Sequence, residues 1–270
     1  MRFLIQKINN QIRHDFSFTL LESIRFHNWL TNGHDRMDVR YMNTETDDKD
    51  EVQPFEFKKY HRTYIPIGSV EFVTQFLNHF HGLIPKPLNV PSSLIRYAGR
   101  EIWNGTNMDL EGLKGKWVVK DNEKIKGLVK MVEDPDILSV PPNGKYQISK
   151  YISIESEWRV FVYKDKMVGL QHYVGEFTLF PDVKKIREMI SWLSKYNENP
   201  IAYTLDVGIK PIVEVDASIY NETFVIEVHD FFSCGLYGFS NHAILPSMFG
   251  RWFTQYVNKN KIHGHNKKGN

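Results

Sequence analysis

The chain has 270 residues, 41% of them hydrophobic and 24% charged, close to an ordinary globular protein and enough for one large domain or two modest ones. A formal net charge of +2 leaves composition with no case for a nucleic-acid or membrane partner. The single cysteine, Cys234, excludes an internal disulfide framework and a multi-cysteine zinc site.

The opening stretch "MRFLIQKINNQIRHD" has too short an apolar run for a signal peptide, and nothing approaches the roughly 20 apolar residues of a membrane helix. A cytosolic setting is therefore expected, with the sequons at Asn104 and Asn221 lacking meaning. Residues 1–93 form one compositional region. Within it, "MNTETDDKDEVQPFEFKKY" is acidic and hydrophilic and predicts an exposed loop. "GSVEFVTQFLNHF" places Val70, Phe72, Val73 and Phe76 at helical spacing, a core face. Pro85, Pro87 and Pro91 then mark a linker into a second region.

From about residue 96 the pattern is a string of hairpins interrupted by two helices. "KWVVKD" reads as a strand, and "YQISKYISIESEWRVFVYKDKMVGLQHYV" as a strand, a connection and a hairpin turning at Lys164-Asp165-Lys166. "FPDVKKIREMISWLSKYNENP" predicts a helix that starts at Pro181-Asp182, buries Ile186, Met189, Ile190 and Leu193, and ends at Asn199-Pro200. "IAYTLDVGI" and "PIVEVDASIYNETFVIEVHDFF" return to strands, and "HAILPSMFGRWFTQYV" supplies the last helix. The mixture indicates an α+β fold. The polar, basic end from residue 258 to 270 is expected to be a disordered tail.

The run "FVIEVHDFF", residues 224–232, places acids and a histidine inside an apolar strand. A carboxylate there needs a partner, because an unpaired buried charge is costly. If Asn221-Glu222 forms a two-residue hairpin loop, Asp216 faces Glu227 with Cβ atoms about 5 Å apart. Two such carboxylates repel unless a cation lies between them, and Mg²⁺ prefers hard oxygen ligands. The strand period puts His229 beside Glu227 and Asp230 on the other face. A surface hairpin with scattered acids is the alternative.

Lys120 ends an apolar strand, and Lys126-Gly127 follows six residues later. A lysine so placed reaches a phosphate as a point charge. There is no G-x-x-x-x-G-K-[ST] loop, no Rossmann fingerprint and no lysine-x-aspartate-glycine string of a polynucleotide ligase.

Taken in order, "GREIW", "KWVVKDNEKIKG", "ISKYISIESEWRVFV", "AYTLDVGI" and "VIEVHDFFSCGLYGF" resemble an ATP-grasp protein, most of all the often phage-encoded clade named for one arginine and two lysines. The resemblance covers about residues 94–255. It implies an ATP-grasp domain over 94–257, two α+β lobes clamping ATP, preceded by a smaller α/β region over 1–93. By this resemblance Arg100, Lys120 and Lys126 hold ATP phosphates. Ser149, Lys150, Tyr151 and Ile152 form the hinge strand that meets adenine, with Glu155 near the ribose. Glu157 and Arg159 begin a strand lining the cavity, and Asp206 and Glu227 hold magnesium. His229 stands where the family has a metal-bridging asparagine, and imidazole is a poorer ligand for a hard cation. Family pattern favours Asp206 as the second metal ligand; the hairpin estimate favours Asp216.

The implied activity joins a small-molecule carboxylate to an amine, through an acylphosphate formed with ATP and Mg²⁺, releasing ADP and phosphate. Such chemistry asks for positioning and charge neutralisation. Arg159 and Arg251 are candidates for holding a substrate carboxylate or phosphate; Arg251 fits a solvated helix position equally well. Cys234 is expected to be an inert buried thiol, and His172 to face either core or cavity. Two alternatives stand beside the ligase: an ATP-binding module without turnover, motivated by His229, and a ligase-like enzyme acting on a nucleic acid, motivated by the basic tail and "FKKYHRTY".

Overall fold

A computed structural model describes residues 1–45, 55–196, 199–213 and 219–265. The chain divides into two compact units, the first made of Met1–Ile84, Pro200–Ala202 and Phe231 onward, the second of Pro85–Asn199 and Tyr203–Asp230.

In the first unit β1 (Arg2–Ile8) lies between β2 (Asp38–Thr44) and β3 (Ile65–Ile67) in a three-stranded parallel sheet. Phe3, Leu4 and Ile5 of β1 are all fully buried, the continuous apolar run that a central parallel strand needs. Helices α1 (Asp15–Leu30) and α2 (Val70–His81) accompany the sheet. Ser69 caps α2 by accepting a hydrogen bond from the Phe72 N–H at 3.2 Å, and Gly82 ends it at φ 66°, the left-handed conformation glycine adopts without strain. Phe72, Val73 and Phe76 are buried as their spacing predicts. The expected acidic loop is only partly one. Met42 is buried in β2 and Phe57 packs edge-on against Phe72 and Phe76, because apolar side chains in a polar stretch still bury where a core lies within reach. Residues 46–54 lie outside the described residues.

The second unit carries two four-stranded sheets. One has the order β4-β7-β5-β6, formed by β4 (Ile102–Gly105), β5 (Lys116–Asp121), β6 (Val129–Glu133) and β7 (Tyr146–Lys150), with each neighbouring pair antiparallel. The other has the order β11-β10-β8-β9, from β8 (Ser156–Tyr163), β9 (Lys166–Gly175), β10 (Ala202–Val213) and β11 (Ile219–Asp230). Lys164 and Asp165 join β8 to β9 with φ of 50° and 59°, the twist-matched two-residue turn. Helix α3 (Val183–Lys195) packs Ile186, Met189, Ile190 and Leu193 into the core. Its cap is Asp182, which accepts from the Lys184 and Lys185 N–H groups at 2.8 and 3.2 Å.

The proline-rich segment at the start of this unit is a buried strut rather than a slack connection. Asn89, Val90, Leu94 and Ala98 are buried. The Asn89 side chain donates to the Asp121 carbonyl (3.0 Å) and to Asn122 Oδ1 (2.7 Å) at the end of β5, while its own carbonyl accepts from Val228 N–H of β11 at 2.7 Å. Val90 and Gln147 exchange hydrogen bonds of 3.0 and 2.9 Å. Proline removes donors and fixes φ, but the remaining polar groups still need partners, and here the two sheets supply them.

The last helix, α4 (Leu245–His265), belongs to the first unit and takes in residues 258–265 of the expected disordered tail. Among the described residues no helix is long and apolar enough to cross a membrane.

Candidate active site

The register of β10 and β11 decides which acids meet. Asp206 pairs with Glu227, and a bulge follows, since Val207 pairs with Val225. Asn221 and Glu222 are strand residues opposite Pro211 and Lys210, not the expected loop. The pairing runs on to Val213 opposite Ile219, so Glu227 faces Asp206 and not Asp216. Asp216 itself lies outside the described residues. Thr204 pairs with His229, which puts Thr204, Asp206, Glu227 and His229 on one face.

Cations from both sheets close on these acids. Lys120, at the end of β5, donates to Glu227 Oε2 at 2.5 Å. His229 Nε2 lies 2.9 Å from Glu227 Oε1 and 3.7 Å from Asp206 Oδ2. Arg159 of β8 donates through Nε to Asp206 Oδ1 at 2.8 Å and through Nη2 to Oδ2 at 2.7 Å, a bidentate pair in which Asp206 is only 1% exposed. Burial alone would raise the Glu227 carboxyl, but the hydrogen bond and charge of His229, with those of Lys120, outweigh it and hold Glu227 well below the usual carboxylate range. Burial opposes the imidazolium of His229, yet Glu227 and then Asp206 raise it above the ordinary histidine value.

Arg100, expected to hold ATP phosphates, is engaged with backbone carbonyls. Its Nη1 donates to the carbonyls of Ala98 and Val225, both at 2.9 Å, and Nη2 to that of Ile226 at 3.3 Å. It therefore grips the bulge just before Glu227. Burial lowers its pKa and the Glu227 charge partly restores it. Arg159, a candidate for holding a substrate carboxylate or phosphate, turns its fork to Asp206. Glu157 accepts from Tyr173 Oη at 2.6 Å, and the Arg159 guanidinium lies 5.6 Å from the Tyr173 ring centre. Burial, then the charge of Asp206 and the bond to Glu157, push the Tyr173 hydroxyl far up.

The remaining candidates lie at intervals along the second unit, except Arg251 and Cys234. Lys126 is exposed at φ 54° on the loop after β5. Its neighbour Gly127 sits where an added Cβ would come within 2.6 Å of Asp121 Oδ2 and the Lys124 carbonyl, so only glycine lets the loop close there. Ser149 is buried in β7 between Val118 and Ile102. Lys150 ends that strand, and Tyr151 and Ile152 lead out of one sheet toward the other. Glu155 is exposed, its N–H donating to the Ile209 carbonyl at 2.9 Å. Arg251 is an exposed residue of α4 in the first unit. Cys234 is buried in the first unit, as expected of an inert thiol. His172 packs edge-on against Trp158 at 5.2 Å.

Sequence reasoning missed Asn89 and Tyr173. For Asn89 a signal existed, an asparagine among prolines, since asparagine tolerates the positive φ of 49° found there. For Tyr173 only the alternation of β9 hinted at a side chain facing Glu157.

Two sheets, an acidic pair on a hairpin and a lysine arriving from the opposite sheet agree with the outcome of sequence comparison: the profile of the ATP-grasp domain, R2K clade family 2, matches residues 97–246, more than half of the chain. The chain belongs to that ATP-grasp family. The matched range covers β4 to β11 and α3 and runs on into residues 231–246 of the first unit. No curated protein matches the chain. Solved structures similar to this ATP-grasp protein include D-alanine–D-alanine ligase from Bacillus anthracis complexed with ATP, at 13% identity over 96% of this chain and 99% of that one, with a TM-score of 0.49. Another is a RimK domain ATP-grasp protein from Sphaerobacter thermophilus, at 12% identity over 96% and 100% of the two chains, TM-score 0.48. A third is phosphoribosylglycinamide synthetase from Anaerococcus prevotii, at 11% identity over 92% and 75%, TM-score 0.46.

Proposed function

We propose that this ATP-grasp protein is an ATP-dependent ligase that joins a small-molecule carboxylate to an amine, with ATP and a divalent cation as cofactors. The observation that carries the proposal is the meeting of Lys120 from one sheet with Glu227 from the other at 2.5 Å, beside Asp206 and His229. Those last three offer one donor atom each, all within 4.8 Å of one another. Ligand atoms around an octahedral cation at about 2.1 Å lie roughly 3 Å apart when adjacent and about 4.2 Å when opposite. The donor set therefore fits a cation with small side-chain movements, and Asp206 and Glu227 would hold it. The cation's chemistry there is neutralisation of charge on the triphosphate.

The other residues act by position and charge. Lys120 would exchange its bond to Glu227 for a phosphate oxygen, and Lys126 would meet the phosphates from its loop. Arg100 keeps the bulge in place and contributes positive potential. Arg159 neutralises Asp206 and fixes its oxygens, so that the site does not carry two unbalanced buried acids. Residues 149–152 and Glu155 would serve adenine and ribose, and Glu157 with Tyr173 would border the phosphates. In this reading the carboxylate substrate attacks the γ-phosphate, the amine then displaces phosphate from the acylphosphate, and no protein nucleophile is needed.

Incubation with ATP, Mg²⁺ and pooled amino acids should release ADP and phosphate and yield an amide detectable by mass spectrometry. Equal release by Glu227→Ala would end the proposal. A second reading, an ATP-binding module without turnover, draws on His229 engaging Glu227. Tight nucleotide binding with no product across substrate pools would favour it.

A further inference from the structure

We infer that the divalent cation of this site is a first-row transition metal, Mn²⁺ in the form most easily tested, bound through the His229 imidazole as well as through Asp206 and Glu227. The inference deepens the proposed function and rests on it.

Three observations carry it. First, the donor set is two carboxylates and one imidazole nitrogen, with Nε2 at 2.9 and 3.7 Å from oxygens of the two acids, the first close to the spacing of adjacent ligands on one ion and the second between adjacent and opposite. Second, the histidine is held in place. Val228, between Glu227 and His229, donates its N–H to the Asn89 carbonyl at 2.7 Å, and Arg100 holds the Val225 and Ile226 carbonyls just upstream. The strand segment that projects both side chains is thus pinned from two directions. Third, Thr204 stands opposite His229 in register, fully buried, and its Oγ1 has no hydrogen-bond partner. A further polar group on the face of the donor set thus retains hydrogen-bonding capacity.

Mg²⁺ takes oxygen ligands, gives up its water reluctantly and gains little from a nitrogen donor. Imidazole suits the softer first-row dications, whose affinity for mixed nitrogen and oxygen sites rises from Mn²⁺ upward. Mn²⁺ also accepts the carboxylates and phosphate oxygens that such a site supplies, so it keeps the charge-neutralising function while using all three protein donors. A histidine nitrogen in this register thus sets a metal preference and keeps a metal site.

The test is electron paramagnetic resonance of Mn²⁺ on the intact protein, alone and with the β,γ-methylene analogue of ATP, whose phosphate chain carries no nitrogen. Electron spin-echo modulation should show a directly coordinated imidazole ¹⁴N in the native protein. That modulation should vanish in His229→Asn, with Mn²⁺ affinity falling about tenfold or more and Mg²⁺ affinity unchanged or improved. Mn²⁺ bound with no ¹⁴N modulation, or with modulation that survives His229→Asn, overturns the inference and leaves the carboxylate site standing. Failure of the native protein to bind Mn²⁺ or Mg²⁺ with the nucleotide analogue overturns both the inference and the function it rests on. The native spectrum decides the first point even if the variant does not fold.

Discussion

The two four-stranded sheets of the second unit divide the charge unequally. The sheet β11-β10-β8-β9 holds both acids, Asp206 and Glu227, and backs them with a large core that includes Val160, Val162, Leu205, Val207, Val225 and the buried face of α3. The sheet β4-β7-β5-β6 contributes Lys120 and the Lys126 loop over a smaller core around Trp117, Tyr146 and Ile148, and its edge strand leaves Val129 and Met131 67% and 58% exposed. On the proposed function, acids that are to hold one cation between them need a rigid support. A lysine that exchanges a carboxylate for a phosphate would, on the same proposed function, do better on a lighter, more yielding one. The strut at Asn89 ties both sheets at the level where their charges meet.

The contrast can be broken first at Asp206. Substitution by alanine strips Arg159 of its bidentate partner in a buried setting, and removing one member of such a pair costs about 3–5 kcal/mol. Urea denaturation should register that loss, and Arg159→Leu combined with Asp206→Leu should recover much of it. Next comes Glu227→Ala, which should lower ADP release about 10²- to 10³-fold while leaving the fold intact by circular dichroism. Activity within threefold of the native value would show that the acidic sheet does not serve catalysis. On the cationic side, Lys120→Met should weaken ATP binding about tenfold or more, as expected for one charge-assisted hydrogen bond, read by calorimetric titration. Asn89→Ala removes the donor to Asp121 and Asn122, and should cost about 1–2 kcal/mol. A smaller effect would mean that the strut owes its rigidity to packing alone. The mildest change is Arg251→Ala on the exposed face of α4, with a stability shift within about 0.5 kcal/mol, measurable as an almost unmoved melting temperature.

Much of this unit was legible in the sequence where the signal is local. "KWVVKD" is β5 with the same bounds, and α3 starts at Asp182 with its buried face as spaced, because caps and periodicity are properties of neighbouring residues. The conjunction of Lys120 with Glu227 was readable only through family resemblance, since 107 residues separate them. The pairing of Glu227 with Asp206 escaped a hairpin estimate that placed the turn at Asn221-Glu222, where local residue preferences suggest a turn that the longer strands override. Arginine tasks were the least legible. Residue type identifies a fork able to grip carboxylate or phosphate, but not that Arg100 spends it on the carbonyls of Val225 and Ile226 or that Arg159 spends it on Asp206. Those partners exist only once the sheets have assembled.

A crystal structure with a non-hydrolysable ATP analogue and a divalent cation is the most direct measure of the central claim. The account predicts a phosphate oxygen within hydrogen-bond reach of Lys120 Nζ, and a cation on Glu227 and Asp206 that bridges to the phosphates. Nucleotide bound elsewhere, with the Lys120–Glu227 bond undisturbed, would contradict it.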